Sequence, residues 1–524
     1  MTAMDPLSCS HCTVGELLAL RAQESPDRPA YLSDGQVLTY GQLHRRADML
    51  AAALANLGVA KGERVAMALP NGIDMVCLYF AIAKLGAVNV FVNRDYDAAL
   101  LNELLDRLQP AAVILDSANL AKLDTRFNSG PAVRILWSDA NADAGLADAG
   151  VLRLHALLSG SPPAPPMIDV APTDPVQFIF TSGTTGLPKA CTLSHRARIG
   201  VSAHINHCLG VTRNDRYFVC LPNYHGNVFL GIIGALLAGG SCLIAERFSA
   251  SRYWHQAEQG QATILVLHAV PLNMLLAGAE EIREKKAGPA ACHGVRAVVT
   301  VGGRYTQFME RFGIPEAVLG YGSTEAGGLT SLARISQAEA MTLEAGYAGR
   351  VRSDLEVRVE GPDGVEMPAG CTGELLVRPR MPHMMFSGYH AQPEATAKAF
   401  RNGWYRSGDR GSLDAAGNLY FAGRDGDTVR VKGEAVPVEY LEGLIRECGQ
   451  VEDCAVIGVS HALGDEELRV FVQCGSGDSL TADQLIDYLR PKVPKYMIPA
   501  SIVFVASFPR SPATMKILKR KLLE

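Results

Sequence analysis

The sequence predicts an α/β protein: a large N-terminal domain of layered sheets and helices, followed by a small α+β C-terminal domain. Three observations carry that prediction. A chain of 524 residues exceeds the size of one ordinary domain. Up to about residue 420, helix-like stretches alternate with short apolar runs of strand length, the pattern of parallel sheets covered by helices on both faces. After about residue 427 the character changes to short strands interleaved with amphipathic helices.

Taken in order, Ala51–Leu57 reads as helix, Arg64–Leu69 as strand, Met75–Leu85 as helix and Val88–Val92 as strand. Further strands are expected at Ala112–Leu115, Val176–Phe180, Ile264–Leu267 and Ala297–Val301. Ser161 to Pro166 is a Pro-rich connector that continues neither a helix nor a central strand. The longest uncharged apolar run, Val228 to Ala245, falls short of a membrane span, and Gly239-Gly240 would break a helix in its middle. A buried helix followed by a buried strand is expected there. In the tail, strands are expected at Ala455–Val459 and Leu468–Gln473, and helices at Glu439–Cys448 and Ala482–Leu489. Gly477-Asp478-Ser479-Leu480 looks superficially like a phosphopantetheine attachment sequence. The capping box from Thr481 to Gln484 just after it marks instead the start of an ordinary helix.

Composition narrows the function classes. Apolar residues make up 48% and charged residues 20%, as in globular proteins. The net charge of −5 leaves no electrostatic footprint for nucleic acid or anionic lipid. The first residues lack a signal-peptide layout, and 12 scattered cysteines suit reduced thiols, so a cytoplasmic protein is expected. Cys9, His11 and Cys12 resemble half a zinc site, but no second pair follows at finger spacing.

The chemistry begins where Val176–Phe180 runs into Thr181-Ser182-Gly183-Thr184-Thr185-Gly186-Leu187-Pro188-Lys189. A buried strand ending in hydroxyls, glycines and a lysine suits a phosphate: glycines let backbone N–H groups converge on oxygen, hydroxyls donate, and lysine adds charge. The spacing is not that of a Walker loop. This stretch resembles the phosphate-loop signature of adenylate-forming enzymes, a superfamily of acyl- and aryl-CoA synthetases, luciferases and peptide-synthetase adenylation domains. The superfamily's other motifs follow in order. Leu221 to Asn227 resembles its aromatic/His gate and Gly320 to Ala326 its adenine and magnesium motif. Gly403 to Asp409 resembles its ribose motif, Gly423-Arg424 opens its hinge, and Pro509 to Arg520 resembles its catalytic-lysine loop.

The resemblance spans nearly the whole chain and implies an AMP-forming acyl-CoA synthetase. Such an enzyme activates a carboxylic acid as acyl-AMP and passes the acyl group to coenzyme A, with ATP and Mg²⁺. It implies domains at 1–422 and 428–524, joined by a hinge at 423–427 with Gly426 as pivot, the C-terminal one mobile. The implied ATP-binding residues are Thr181, Ser182, Gly183, Thr184, Thr185, Gly186, Lys189, Gly303, Arg304, Tyr321, Gly322, Ser323, Asp409, Phe421 and Arg424. Tyr321 offers a flat face to adenine, Asp409 two acceptor oxygens to the ribose hydroxyls, and Arg424 a planar fork. Thr324, Glu325 and Lys516 are the implied catalytic residues, with Glu325 as the magnesium ligand. Tyr224, His225 and Gly302 are implied at the acyl substrate. Small residues at Gly226, Gly231, Gly234 and Gly302-Gly303 suggest a roomy apolar pocket for a bulky or medium-chain acid.

Three positions depart from the family pattern. Ala190 follows the phosphate-loop lysine where glycine is usual, Gly426 stands where Asp or Lys is usual, and Met515 precedes Lys516 in a loop one residue longer. Lys519 is therefore a second candidate for the catalytic lysine. The alternatives are an adenylate-only enzyme that hands its acyl-AMP to an acyl-accepting protein, and a non-catalytic nucleotide-binding protein.

Overall fold

A computed structural model describes residues 11–524 except 125–126, 128–131, 138–150, 159–165, 182–187, 284–293, 303, 425–427, 432–433, 461–465, 476–479, 494, 512–516 and 524. The chain divides into two compact units. The larger comprises residues 1–341, 352–356 and 378–400, and the smaller 342–351, 357–377 and 401–524.

The larger unit holds a sheet of seven strands: β1 (Arg64–Ala68), β2 (Val88–Phe91), β3 (Ala112–Leu115), β4 (Val133–Leu136), β5 (Val151–Arg153), β6 (Pro175–Thr181) and β7 (Lys189–Ser194). Their order is β5-β4-β3-β1-β2-β6-β7, parallel throughout except for β7, which turns back antiparallel on β6. β1, β2 and β3 are apolar almost without interruption because both faces are covered, and Ala66, Val90 and Ile114 are fully buried. Helix α1 (Ile73–Lys84) is apolar nearly all round for the same reason: Val76, Leu78, Tyr79 and Phe80 have no exposed surface.

A second parallel run is built from β8 (Arg216–Val219), β9 (Ser241–Ile244), β10 (Ile264–His268), β11 (Ala297–Val301) and β12 (Glu316–Ser323), with β13 (Gly328–Ser336) antiparallel to β12. Helices α2 (His195–Leu209) and α3 (Val228–Ala238) lie among these strands. The apolar run Val228 to Ala245 is a helix and then a strand, as its glycines imply. Gly239 closes α3 in the left-handed conformation at φ +64, and a Cβ on Gly240 would meet the Asp215 carbonyl at 2.7 Å. Among the described residues, no helix is long and apolar enough to cross a membrane.

The glycines of α3 correct one expectation from the sequence. They line no open space. A Cβ on Gly231 would stand 2.5 Å from Val219, and one on Gly234 3.0 Å from the Tyr217 ring, so both let α3 settle directly on β8. Gly226 is equally tight against Ile179, whereas Gly302 is open, with nothing within 4 Å of its Cβ position.

In the smaller unit, β14 (Trp404–Leu413) and β15 (Asn418–Arg424) form an antiparallel pair. A three-stranded sheet of β16 (Val451–Ser460), β17 (Glu466–Cys474) and β18 (Ser501–Phe504) packs with helix α4 (Val438–Arg446) around Leu441, Ile445, Cys454, Val470 and Leu485. The helix Ala482–Leu489 begins with the expected capping box of Thr481 and Gln484. The Gly477–Leu480 stretch lies largely outside the described residues.

His195 ties the larger unit's N-terminal helix, Val14–Glu24, to the start of α2. Its Nδ1 accepts the Val14 N–H at 3.2 Å, so the ring is neutral with its proton on Nε2, an atom buried without a partner. Burial pushes its pKa from 6.5 down to about 4. Because the folded value is depressed, this contribution to stability is complete above pH 6.5 and is lost as pH falls toward 4. The full loss is on the order of 3 kcal/mol. Unfolding free energies of wild type and His195→Gln, measured between pH 7 and about 4, should converge on acidification through this window. Parallel curves would show that His195 titrates normally in the folded state.

Candidate active site

Thr181 is the last residue of β6 and pairs in register with Lys189, the first of β7, so the two ends of the phosphate loop are held side by side. Ser182, Gly183, Thr184, Thr185 and Gly186 lie outside the described residues. From β7 the Lys189 ammonium extends over the ring of Tyr389, 4.9 Å from its centroid. The Tyr389 hydroxyl donates to Glu325 Oε1 at 2.9 Å. Burial, then the negative charge of Glu325, holds the phenol far above its usual pKa, so Tyr389 stays protonated and serves as the donor in this bond. Tyr389 thus links the phosphate-loop lysine to the carboxylate of the magnesium motif. The sequence reading missed it, because Ser387 to His390 carries no catalytic side-chain pattern of its own.

The backbone explains why Tyr389 is so placed. Residues 387–390 run along the outer edge of β7: Thr192 N–H donates to Gly388 O at 3.0 Å, Ser387 N–H to Thr192 O at 2.9 Å, and His390 N–H to Ala190 O at 2.9 Å. The Phe386 N–H donates to the Glu325 carbonyl at 3.0 Å, fixing the main chain of the magnesium motif as well. Ala190 is buried in this pairing and is accommodated without a glycine.

Tyr321, Gly322 and Ser323 end β12, and Thr324 and Glu325 occupy the turn into β13. The ladder is irregular between Tyr321 and Gly322, where a Cβ on Gly322 would fall 2.0 Å from the Gly328 carbonyl; only glycine fits. The turn is closed by Gly327 N–H to Thr324 O at 3.0 Å and by Ala326 N–H to Ser323 Oγ at 3.2 Å. Thr324 and Glu325 are partly exposed there, as a ligand-facing pair requires. Gly302 follows β11 with φ +66, Gly303 is outside the described residues, and Arg304 caps the next helix with its N–H on Asn273 Oδ1 at 3.1 Å.

In the gate loop, Tyr224 and His225 pack ring to ring at 4.7 Å, and His225 stands 6.2 Å from the His268 ring at the end of β10. Asn227 Nδ2 lies 2.7 Å from His268 Nε2. His268, which lies outside every motif, joins Asn227, the last residue of the gate motif, as a further polar group here.

In the smaller unit, Asp409 on β14 is buried and pairs in register with Arg424 on β15, and the Phe421 N–H donates to Gly346 O at 2.8 Å. Gly426 and Lys516 lie outside the described residues. Lys519 is described, and its ammonium pairs with the buried Glu442 of α4 at 2.7 Å. Glu442 also accepts the Val456 N–H at 2.8 Å. Lys519 therefore completes a structural ion pair, which leaves Lys516 as the better candidate for chemistry.

Magnesium is the cation the motif calls for, and the residues fit it. No cluster of three or more potential ligands occurs among the described residues, so no all-protein cage is present. A single partly exposed carboxylate, Glu325, suits an ion that arrives already held by triphosphate oxygens and water.

The family model described as AMP-binding enzyme matches residues 18–390, and that described as AMP-binding enzyme C-terminal domain matches residues 440–514. The chain is similar to the long-chain-fatty-acid–CoA ligase FadD13 of Mycobacterium tuberculosis, 29% identical over 98% of each chain. It is also similar to the indoleacetate–CoA ligase of Aromatoleum aromaticum, 28% identical over 95% of each. The solved structure of the anthranilate CoA ligase AuaEII in complex with anthranoyl-AMP shares the fold, with TM-score 0.87 at 21% identity, covering 99% of this chain and 98% of that one. The chain belongs to the AMP-binding, adenylate-forming enzyme family, in its acyl-CoA synthetase branch.

Proposed function

We propose that this protein is an AMP-forming acid–thiol ligase that converts a carboxylic acid, ATP and CoA into acyl-CoA, AMP and pyrophosphate. The observation that carries the reading is the Lys189–Tyr389–Glu325 assembly, a cation and a carboxylate held by one phenol at the mouth of a phosphate loop. In the first step a carboxylate oxygen attacks the α-phosphorus and pyrophosphate leaves with the electron pair. Lys189 and the loop's donors hold the phosphates, Thr324 donates to the α-phosphate, and Lys516 neutralises the charge that grows there in the transition state. Glu325 would hold Mg²⁺, which when bound would supply further neutralisation of phosphate charge. Tyr321 stacks on adenine, while Asp409 and Arg424 take the ribose. In the second step the CoA thiolate attacks the acyl carbonyl carbon and AMP leaves.

The reaction is proposed to occur in the cytoplasm, in keeping with described cysteines that are all free. Pyrophosphate release and thioester formation, followed together over a panel of acids, test the reading. Acyl-AMP without thioester would instead favour an adenylate-only enzyme with a separate acyl-accepting protein.

Two substitutions should separate the roles. Lys516→Ala should slow acyl-AMP formation by about 10²–10³ while leaving thioesterification of supplied acyl-AMP intact. Lys519→Ala should chiefly lower the melting temperature, since it removes the closer of the two cations paired with the buried Glu442. Wild-type pyrophosphate release by Lys516→Ala, with the loss falling on Lys519→Ala, would reverse the two assignments.

Tyr389→Phe removes the hydroxyl but keeps the ring under Lys189. Unclamping Glu325 should raise the Mg²⁺ concentration for half-maximal rate by about tenfold or more, the usual effect of losing a partner that orients a metal ligand. The KM for the acid should stay within about twofold, because the phenol is placed on the nucleotide side. An unchanged Mg²⁺ dependence would remove Tyr389 from the site.

A further inference from the structure

Arg198, on the first turn of α2, is the largest fully buried side chain of the protein. Its guanidinium lies behind the gate loop. Nη2 donates to the Gly226 carbonyl at 2.5 Å, and its central carbon lies 5.9 Å from the centroid of the Phe229 ring. Its Nε has no hydrogen-bond partner, and no carboxylate among the described residues pairs with it. Among the described residues, the other arginine buried to this degree has one: Arg352 makes a two-pronged bond to Asp354, at 2.9 and 2.6 Å. Removing a guanidinium from water without a counter-charge costs several kcal/mol, and arginine cannot escape by losing its proton.

Two further polar groups in this part of the core are orphaned too. The Tyr79 hydroxyl, whose ring packs on Phe229 at 4.6 Å, is fully buried without a partner. Gln177 is fully buried with both amide atoms unpaired. It sits on β6 two residues before Ile179, hence on the same face, and Ile179 closes on Gly226. Water could satisfy the hydrogen bonds of such a cluster but not its charge. The Gly226 carbonyl and the Phe229 ring face are weak substitutes for an anion. Arg198 thus holds the carbonyl of the residue next to His225, and Asn227 with His268 adds further polar groups beside the same loop.

We propose that the acid activated by this enzyme carries a second anionic group, as a dicarboxylic acid does, and that Arg198, with Tyr79 and Gln177, forms the subsite that binds it. The inference rests on the ligase reading and names its substrate class. A site whose buried polar groups are left unpaired by the wrong substrate discriminates strongly, whereas an apolar wall gains little per methylene. Arg198 then determines specificity, and the gate loop yields its Gly226 carbonyl contact when the anion enters.

The test uses the full-length enzyme with linear dicarboxylic acids and monocarboxylic acids of equal chain length. Pyrophosphate release should favour the best diacid over its matched monoacid by about 10² or more in kcat/KM, and Arg198→Met should erase that preference. In the absence of substrate, Arg198→Met should melt at the same temperature as wild type or higher, because it removes a buried, uncompensated charge. The diacid should raise the melting temperature of wild type and not of the variant. A preference for the monoacid that Arg198→Met leaves unchanged, or a variant that melts well below wild type without substrate, would overturn the inference and make Arg198 a structural residue. Diacid binding that depends on Arg198 but yields no pyrophosphate would uphold the subsite and overturn the ligase reading alone.

Discussion

The hydroxyl of Tyr389 on Glu325 is the contact on which the order of Lys189 and Glu325 depends. Neither Lys189 nor Glu325 is rigid by itself: one is a long flexible side chain at the start of an edge strand, the other lies in a partly exposed turn. What orders them is a segment, residues 386–390, that pairs with the outer edge of β7 through three main-chain hydrogen bonds and with the Glu325 carbonyl through a fourth. An exposed strand edge is a liability in any sheet. Here the element that covers it also brings the phenol to the metal motif, so protecting the edge and ordering the site are one event.

The same economy of packing explains the helices behind the site. α3 can lie on β8 only because Gly231 and Gly234 have no side chains there, and Gly226 admits Ile179 for the same reason. These glycines bring the gate loop and the end of β6 close together. Arg198 fills the space beside Gly226, so the gate loop rests on a charged core rather than an empty one. A buried cation without a partner lowers stability, and sites that bind charged groups commonly carry such a cost.

Much of this was legible in the sequence. Runs such as Val88–Val92 and Ala112–Leu115 could only be strands buried on both faces, and Gly239-Gly240 had to separate a helix from a strand. The strand that leads into the phosphate motif, Val176–Phe180, was readable because its apolar run depends only on neighbouring residues along the chain. Tyr389 was not readable, because its partners Lys189 and Glu325 are distant in sequence and only the covering of β7 brings the three together. Nor was Arg198, since an arginine early in a helix after a Ser cap ordinarily points to solvent. The glycines around α3 were misread as space because sequence shows that a side chain is absent and not what fills its place. Lys519 looked interchangeable with Lys516 until its pairing with the buried Glu442 gave it a separate role.

On the proposed mechanism, activation passes through a bond between the carboxylate and the α-phosphorus. The most direct measurement follows the oxygens of a carboxylate labelled with heavy oxygen through one complete turnover to acyl-CoA, with the products weighed by mass spectrometry. Attack on the α-phosphorus leaves one of the acid's two oxygens on AMP, so AMP should emerge carrying a single label and pyrophosphate none. Label appearing in inorganic phosphate, with ADP as the nucleotide product, would mean activation through an acyl phosphate and would contradict the account.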